Sequence, residues 1–133
     1  RGLIGDARLL GRSTHSPDDV RRADAEACDY LGLGPVHTTA VKPDKPAVGP
    51  VRLQEAQAIT RLPLFAIGGI DLDNIAALLD VGCRRIAVIG AIMAAENPER
   101  ASQQLLQALL EKRLYRRRRN VSGSRASATG LTS

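Results

Sequence analysis

Apolar and polar residues fall into blocks of two lengths. Residues 7–11, 30–34, 64–67 and 86–89 are short apolar runs with the size and composition of buried strands. Between them lie longer stretches with helical spacing. Val20, Ala23, Ala27 and Leu31 keep one helical period, and Leu53, Ala56, Gln57 and Thr60 keep another. Ser16 has the chemistry of an N-cap, with Pro17 at the first helical position and Asp18 and Asp19 at the positive end of the dipole. Asp71 or Asp73 caps a third helix through Leu79, and Gly82 is placed to end it. Asn97, Pro98 and Glu99 open the last helix, which runs into Lys112 and Arg113. Residues 35–50 form a long loop with four prolines. Four β–α units with nearly all-apolar strands predict a parallel sheet covered by helices. An open doubly wound sheet and half of an eight-unit barrel, which needs about 250 residues, both fit this spacing.

Charge divides the chain. Of 133 residues, 19 are Lys or Arg and 14 are Asp or Glu. Seven of the basic residues lie from Lys112 onward, where there is no acid, leaving 12 basic against 14 acidic residues in positions 1–111. The body is near neutral, so the basic balance belongs to the tail, and a nucleic-acid-binding body is disfavoured. With only Tyr30, Phe65 and Tyr115 as aromatics there is no stacking platform for single strands. The longest apolar run, residues 86–95, is far short of the roughly 20 residues that span a bilayer. Cys28 and Cys83 form neither a metal spacing nor a disulfide framework, which suits a reducing, cytoplasmic compartment. Residues 114–133, rich in Arg and Ser, read as a disordered basic tail after a folded part spanning residues 1–113. The only methionine is Met93 and the chain opens on Arg1, which reads as a piece of a longer product.

In parallel β–α folds chemistry collects where strands end. Four segments fall there: Ser13-Thr14-His15, the loop from Gly34 to Lys42, Gly68-Gly69-Ile70 and Ile89-Gly90-Ala91. The glycines at 68, 69 and 90 follow two successive strands and precede helices. Such glycines let backbone N–H groups approach a phosphate, and they equally permit a tight turn. Thr38, Thr39 and Lys42 offer hydroxyls and a cation to a phosphate or diphosphate, or form an ordinary solvated loop. Ser13 and His15 lack a nucleophile elbow, so a hydroxyl that bonds substrate suits Ser13 better than a triad. His37 is a lone loop histidine expected in solvent, and no cluster has metal-ligand spacing.

Taken together, residues 11–16, 29–36, 66–70 and 86–92 resemble, in order and spacing, the C-terminal half of thiamine-phosphate synthases, over about residues 7–110. The resemblance implies strands five to eight of a (β/α)8 TIM barrel, with the rest supplied by an upstream segment. It implies a magnesium-assisted transferase reaction of thiamine biosynthesis. Hydroxymethylpyrimidine diphosphate and a thiazole phosphate give thiamine phosphate and diphosphate. By position, Ser13 and Lys42 match residues on the pyrimidine diphosphate. Thr39, Ala40 and Val41 match the loop around the thiazole phosphate, and Gly69, Ile89 and Gly90 match its backbone cradle.

The chain departs from the family pattern in places. Val41 stands where a hydroxyl is usual, His37 where an aromatic is common, and Gly90 where serine is frequent. Arg84-Arg85 replaces a small acidic-glycine turn. The family's Gln-x-Arg-x-Lys segment and its magnesium-binding aspartates belong to the first half and have no match here. Activity is therefore not expected of this fragment alone. Two other readings compete: a thiazole tautomerase-like paralogue on the same fold, and a non-catalytic module whose residues 116–119 contact nucleic acid or an anionic membrane.

Overall fold

The computed structural model describes residues 2–40 and 43–126. Four short strands, β1 (Gly11–Thr14), β2 (Tyr30–Leu33), β3 (Leu64–Ile67) and β4 (Ile86–Ala87), form one sheet in the order β1-β2-β3-β4. Every pairing is parallel. The connecting helices are α1 (Pro17–Asp24), α2 (Gly49–Ile59), α3 (Ile75–Asp80), α4 (Gly90–Met93) and α5 (Pro98–Ala126). α1 packs on α2, α2 on α3, and α3 on α5, so these helices form one row in the order of the strands. A sheet wound in one direction under a single helix row has no topological switch point, unlike a doubly wound sheet.

Register explains the burial. Arg12, Thr14, Leu31, Leu33, Leu64, Ala66 and Ile86 pair along one face. Leu31, Leu33 and Ala66 are fully buried there with Val20, Leu53, Ala56 and Leu78 from the helices. Thr14 is the buried polar member, and its hydroxyl donates to the Gly32 carbonyl at 2.8 Å. The opposite face carries Gly11, Ser13, Tyr30, Gly32, Phe65, Ile67 and Ala87. Tyr30 and Phe65 meet edge to face with centroids 5.8 Å apart, and the Tyr30 ring occupies the space a side chain at Gly11 would need. Tyr30 and Ile67 remain 39% exposed, so this face lies largely open.

Local chemistry set several boundaries as expected. Ser16 accepts the Asp19 N–H at 3.1 Å, and Gly82 adopts φ +92° while donating to the Leu79 carbonyl after α3. Other expectations need correction. The first strand is Gly11–Thr14 rather than residues 7–11, because Leu10 is tied instead to Asp29 by backbone and carboxylate bonds. β4 stops at Ala87, two residues short of the apolar run, and Ile89 turns to cap α4. The N-cap of α3 is Asn74, and the Asp71 carboxylate serves the turn before it by accepting the N–H groups of Asp73 and Asn74. The expected disordered tail is helical backbone through Ala126, because Leu and Arg favour helix at its start and no proline interrupts it. Residues 127–133 lie outside the described residues.

Candidate functional site

The loop after β2 is clamped before it departs from the sheet. Val36 and His37 donate to the carbonyls of Ile67 and Gly68 at 2.9 and 3.1 Å, which carries the β2–β3 pairing past the strands. Val48 and Gly49 donate to Pro35 and Val36, closing the base of the excursion between them. Gly34 and Pro35, joined by a cis peptide, sit against Ile67 and Gly68 so closely that a Cβ at Gly34 would lie 2.1 Å from the Ile67 oxygen. This contact sets His37 and Thr38 beside the glycine turn after β3.

Gly69 has φ +65°, and a Cβ there would lie 2.5 Å from the Thr38 carbonyl oxygen and 2.9 Å from that of His37. Glycine is required at this position by its conformation and by the loop backbone packed on it. The carbonyl of Gly68 accepts His37 N–H, and the carbonyl of Gly69 accepts the Asn74 amide at 2.7 Å. In trans peptides the next N–H points opposite to each carbonyl, so the Gly69 and Ile70 donors are aimed away from those partners. Gly90 differs: it has no positive φ, and a Cβ there would meet nothing within 4 Å. As the first residues of α4, Gly90 and Ala91 carry N–H groups that the helix cannot satisfy itself.

At the end of β1 the Ser13 side is on the open sheet face and exposed, whereas Thr14 is buried. His15 bridges outward. Its Nδ1 lies 2.6 Å from the Gly34 carbonyl, which makes it the donor nitrogen, and its Nε2 lies 3.4 Å from Lys45 Nζ. The loop thereby returns over β1. The His15 N–H donates to Asp19 at 3.0 Å, and this bond, with Arg22 next, holds the Asp19 carboxyl below its ordinary 3.8. Among the described residues no group of three or more His, Cys, Asp or Glu could hold a metal ion.

The sequence model of the family described as thiamine monophosphate synthase matches residues 1–92. The chain belongs to the thiamine monophosphate synthase family. It is 64% identical over 109 residues to a thiamine-phosphate synthase of Parasynechococcus marenigrum (strain WH8102), covering 82% of this chain and 31% of that protein. A thiamine-phosphate synthase of Prochlorococcus marinus (strain MIT 9303) is 53% identical over the same length, with the same shares covered. A solved thiamine phosphate pyrophosphorylase from Pyrococcus furiosus matches with a TM-score of 0.72 and 34% identity, over 78% of this chain and 50% of that one. The chain thus spans about a third of the length of the curated relatives it matches.

Within this family member, the structure packs the His37–Thr38 backbone, directly before Thr39 and Ala40, against Gly69, and puts Ser13, Ile89 and Gly90 at or just beyond the same ends of their strands. Val41 and Lys42 lie outside the described residues. Sequence reasoning missed His15, Lys45 and Asn74 as organisers of these loops. A histidine directly after a strand and an asparagine five residues after a glycine were the available signals. His37, expected in solvent, is only partly exposed, and its Nε2 is buried with no hydrogen-bond partner among the described residues.

Proposed function

We propose that the chain forms strands five to eight of a (β/α)8 barrel that joins hydroxymethylpyrimidine diphosphate to a thiazole phosphate, releasing diphosphate. The observation that carries this reading is the one-directional parallel sheet under a single helix row, with Ser13, Gly69 and Gly90 at or just beyond the C-terminal ends of three strands. The open face with Tyr30, Phe65 and Ile67 suits a barrel interior awaiting the other strands. A match to half of the Pyrococcus furiosus chain agrees with this.

In the proposed reaction the carbon–oxygen bond to the diphosphate breaks, the diphosphate leaves with the electron pair, and the thiazole nitrogen captures the pyrimidine cation. This chain's part is to hold two anions at fixed positions. The N–H groups around Gly69, Ile89 and Gly90, with Thr39, Ala40 and Val41, would hold the thiazole phosphate. The Ser13 hydroxyl and the Lys42 ammonium would hold the diphosphate. Magnesium would neutralise diphosphate charge from ligands on the upstream segment. The described residues of this chain do not fit it, and no step here runs through it. The compartment of this reading is the cytoplasm, where the unpaired thiols of Cys28 and Cys83 stay reduced.

The test is complementation. The chain is co-expressed with the part of the Parasynechococcus marenigrum protein that precedes the matched segment, and thiamine phosphate is measured. Product from the pair, and none from either part alone, is the expected result. No product from the pair, while the relative's own two parts do yield product, refutes the reading.

A further inference from the structure

The end of the sheet opposite these loops holds a second concentration of charge. Arg61 directly precedes the turn into β3, and Arg84 and Arg85 directly precede β4. All three line one cavity of about 390 Å³, and none makes an ion pair with a carboxylate among the described residues. In contrast, Arg12, Arg21 and Arg22 elsewhere on the surface are paired with Glu26, Asp18 and Asp19.

Helix dipoles do not account for the cluster. α2 and α3 end beside it, and each C-terminus contributes about half a negative charge. Asp24, which accepts the Thr60 hydroxyl at the rim, adds one carboxylate. Three guanidinium groups still leave a positive balance of about one charge. Gln54 and Gln57 add amides, and Leu64 and Val81 an apolar wall. A volume of about 390 Å³ is within the range of small-ligand pockets and larger than a lone phosphate needs.

We infer that Arg61, Arg84 and Arg85 form a binding site for a small molecule bearing two or more phosphate groups, at the N-terminal end of the strands and separate from the candidate active site. Guanidinium groups suit this ligand because their planar forks pair with phosphate oxygens two at a time.

The test uses the 133-residue chain, with inorganic triphosphate and ATP as probes, titrated by calorimetry at low and high salt. Both probes should bind, more weakly at high salt. Arg84→Ala with Arg85→Ala should weaken binding at least tenfold, and so should Arg61→Ala. Arg84→Lys with Arg85→Lys keeps the charge but loses the fork, and should fall between. Arg21→Ala should change nothing. Circular dichroism on each variant separates lost binding from lost fold. Tighter binding of ATP than triphosphate assigns the apolar wall to a base, and equal binding assigns the site to phosphates alone. Absent binding, binding indifferent to the arginine pair, or binding lost only on Gly69→Val or on replacing Arg116–Arg119 by Gln overturns the inference.

Discussion

Gly69 and Gly90 look alike in the sequence, each one turn after a strand, yet the structure gives them opposite sensitivities. At Gly69→Ala the new Cβ must accept φ +65° and lie 2.5 Å from the Thr38 oxygen and 2.9 Å from the His37 Cβ. The left-handed backbone costs about 1–2 kcal/mol. The overlap is with backbone that Ile67 and Gly68 hold in place, so relief requires the loop to shift, for about 1–3 kcal/mol more. The sum is about 2–5 kcal/mol. At Gly90→Ala the Cβ meets nothing within 4 Å, φ is ordinary, and the position is the first of α4. There the change should lie between zero and a gain of about 1 kcal/mol. Urea unfolding of both variants by circular dichroism, at one fixed chain concentration, reads the difference. A Gly69→Ala midpoint indistinguishable from the parent, or a Gly90→Ala loss as large as that of Gly69→Ala, would refute the reasoning.

Further outcomes follow from other contacts. The open sheet face and the unpaired edges of β1 and β4 should make the isolated chain self-associate; a monomer at every concentration in sedimentation contradicts this. Thr14→Val removes a buried hydroxyl bond to Gly32 and should cost about 1–2 kcal/mol in a urea melt, with an unchanged midpoint counting against it. His37→Phe removes a buried nitrogen without a partner and should stabilise by about 1 kcal/mol; a lower midpoint refutes that. Because the Asp19 carboxyl sits lower in the fold than its ordinary 3.8, its contribution is complete above that value and drains away as pH falls through the folded value. Asp19→Asn should therefore lower stability at neutral pH and leave less acid dependence below pH 3.8, and parallel pH profiles for variant and parent would show the linkage absent.

Local chemistry in the sequence determined the order of the elements, the Ser16 cap, the limits of β3 and the stop at Gly82, because each depends on residues within a few positions of one another. The resemblance likewise reached the family from short motifs. Whether the β–α units wind one way or two was beyond spacing, because helices on either face of a sheet need the same apolar stripe. The sequential strand order and single helix row decided it. The ends of β1 and β4 were misplaced because pairing with a neighbour, not hydrophobicity, decides where a strand stops. The reason for glycine at 69 was only half legible. The sequence suggested room for a phosphate, while the fold shows the His37–Thr38 backbone occupying the place of its side chain. Likewise Arg61 and the Arg84-Arg85 pair stand more than twenty positions apart, and only the adjacency of β3 and β4 makes them line one cavity. Contacts between distant segments depend on how the strands pair and the helices pack, and no local pattern encodes that pairing.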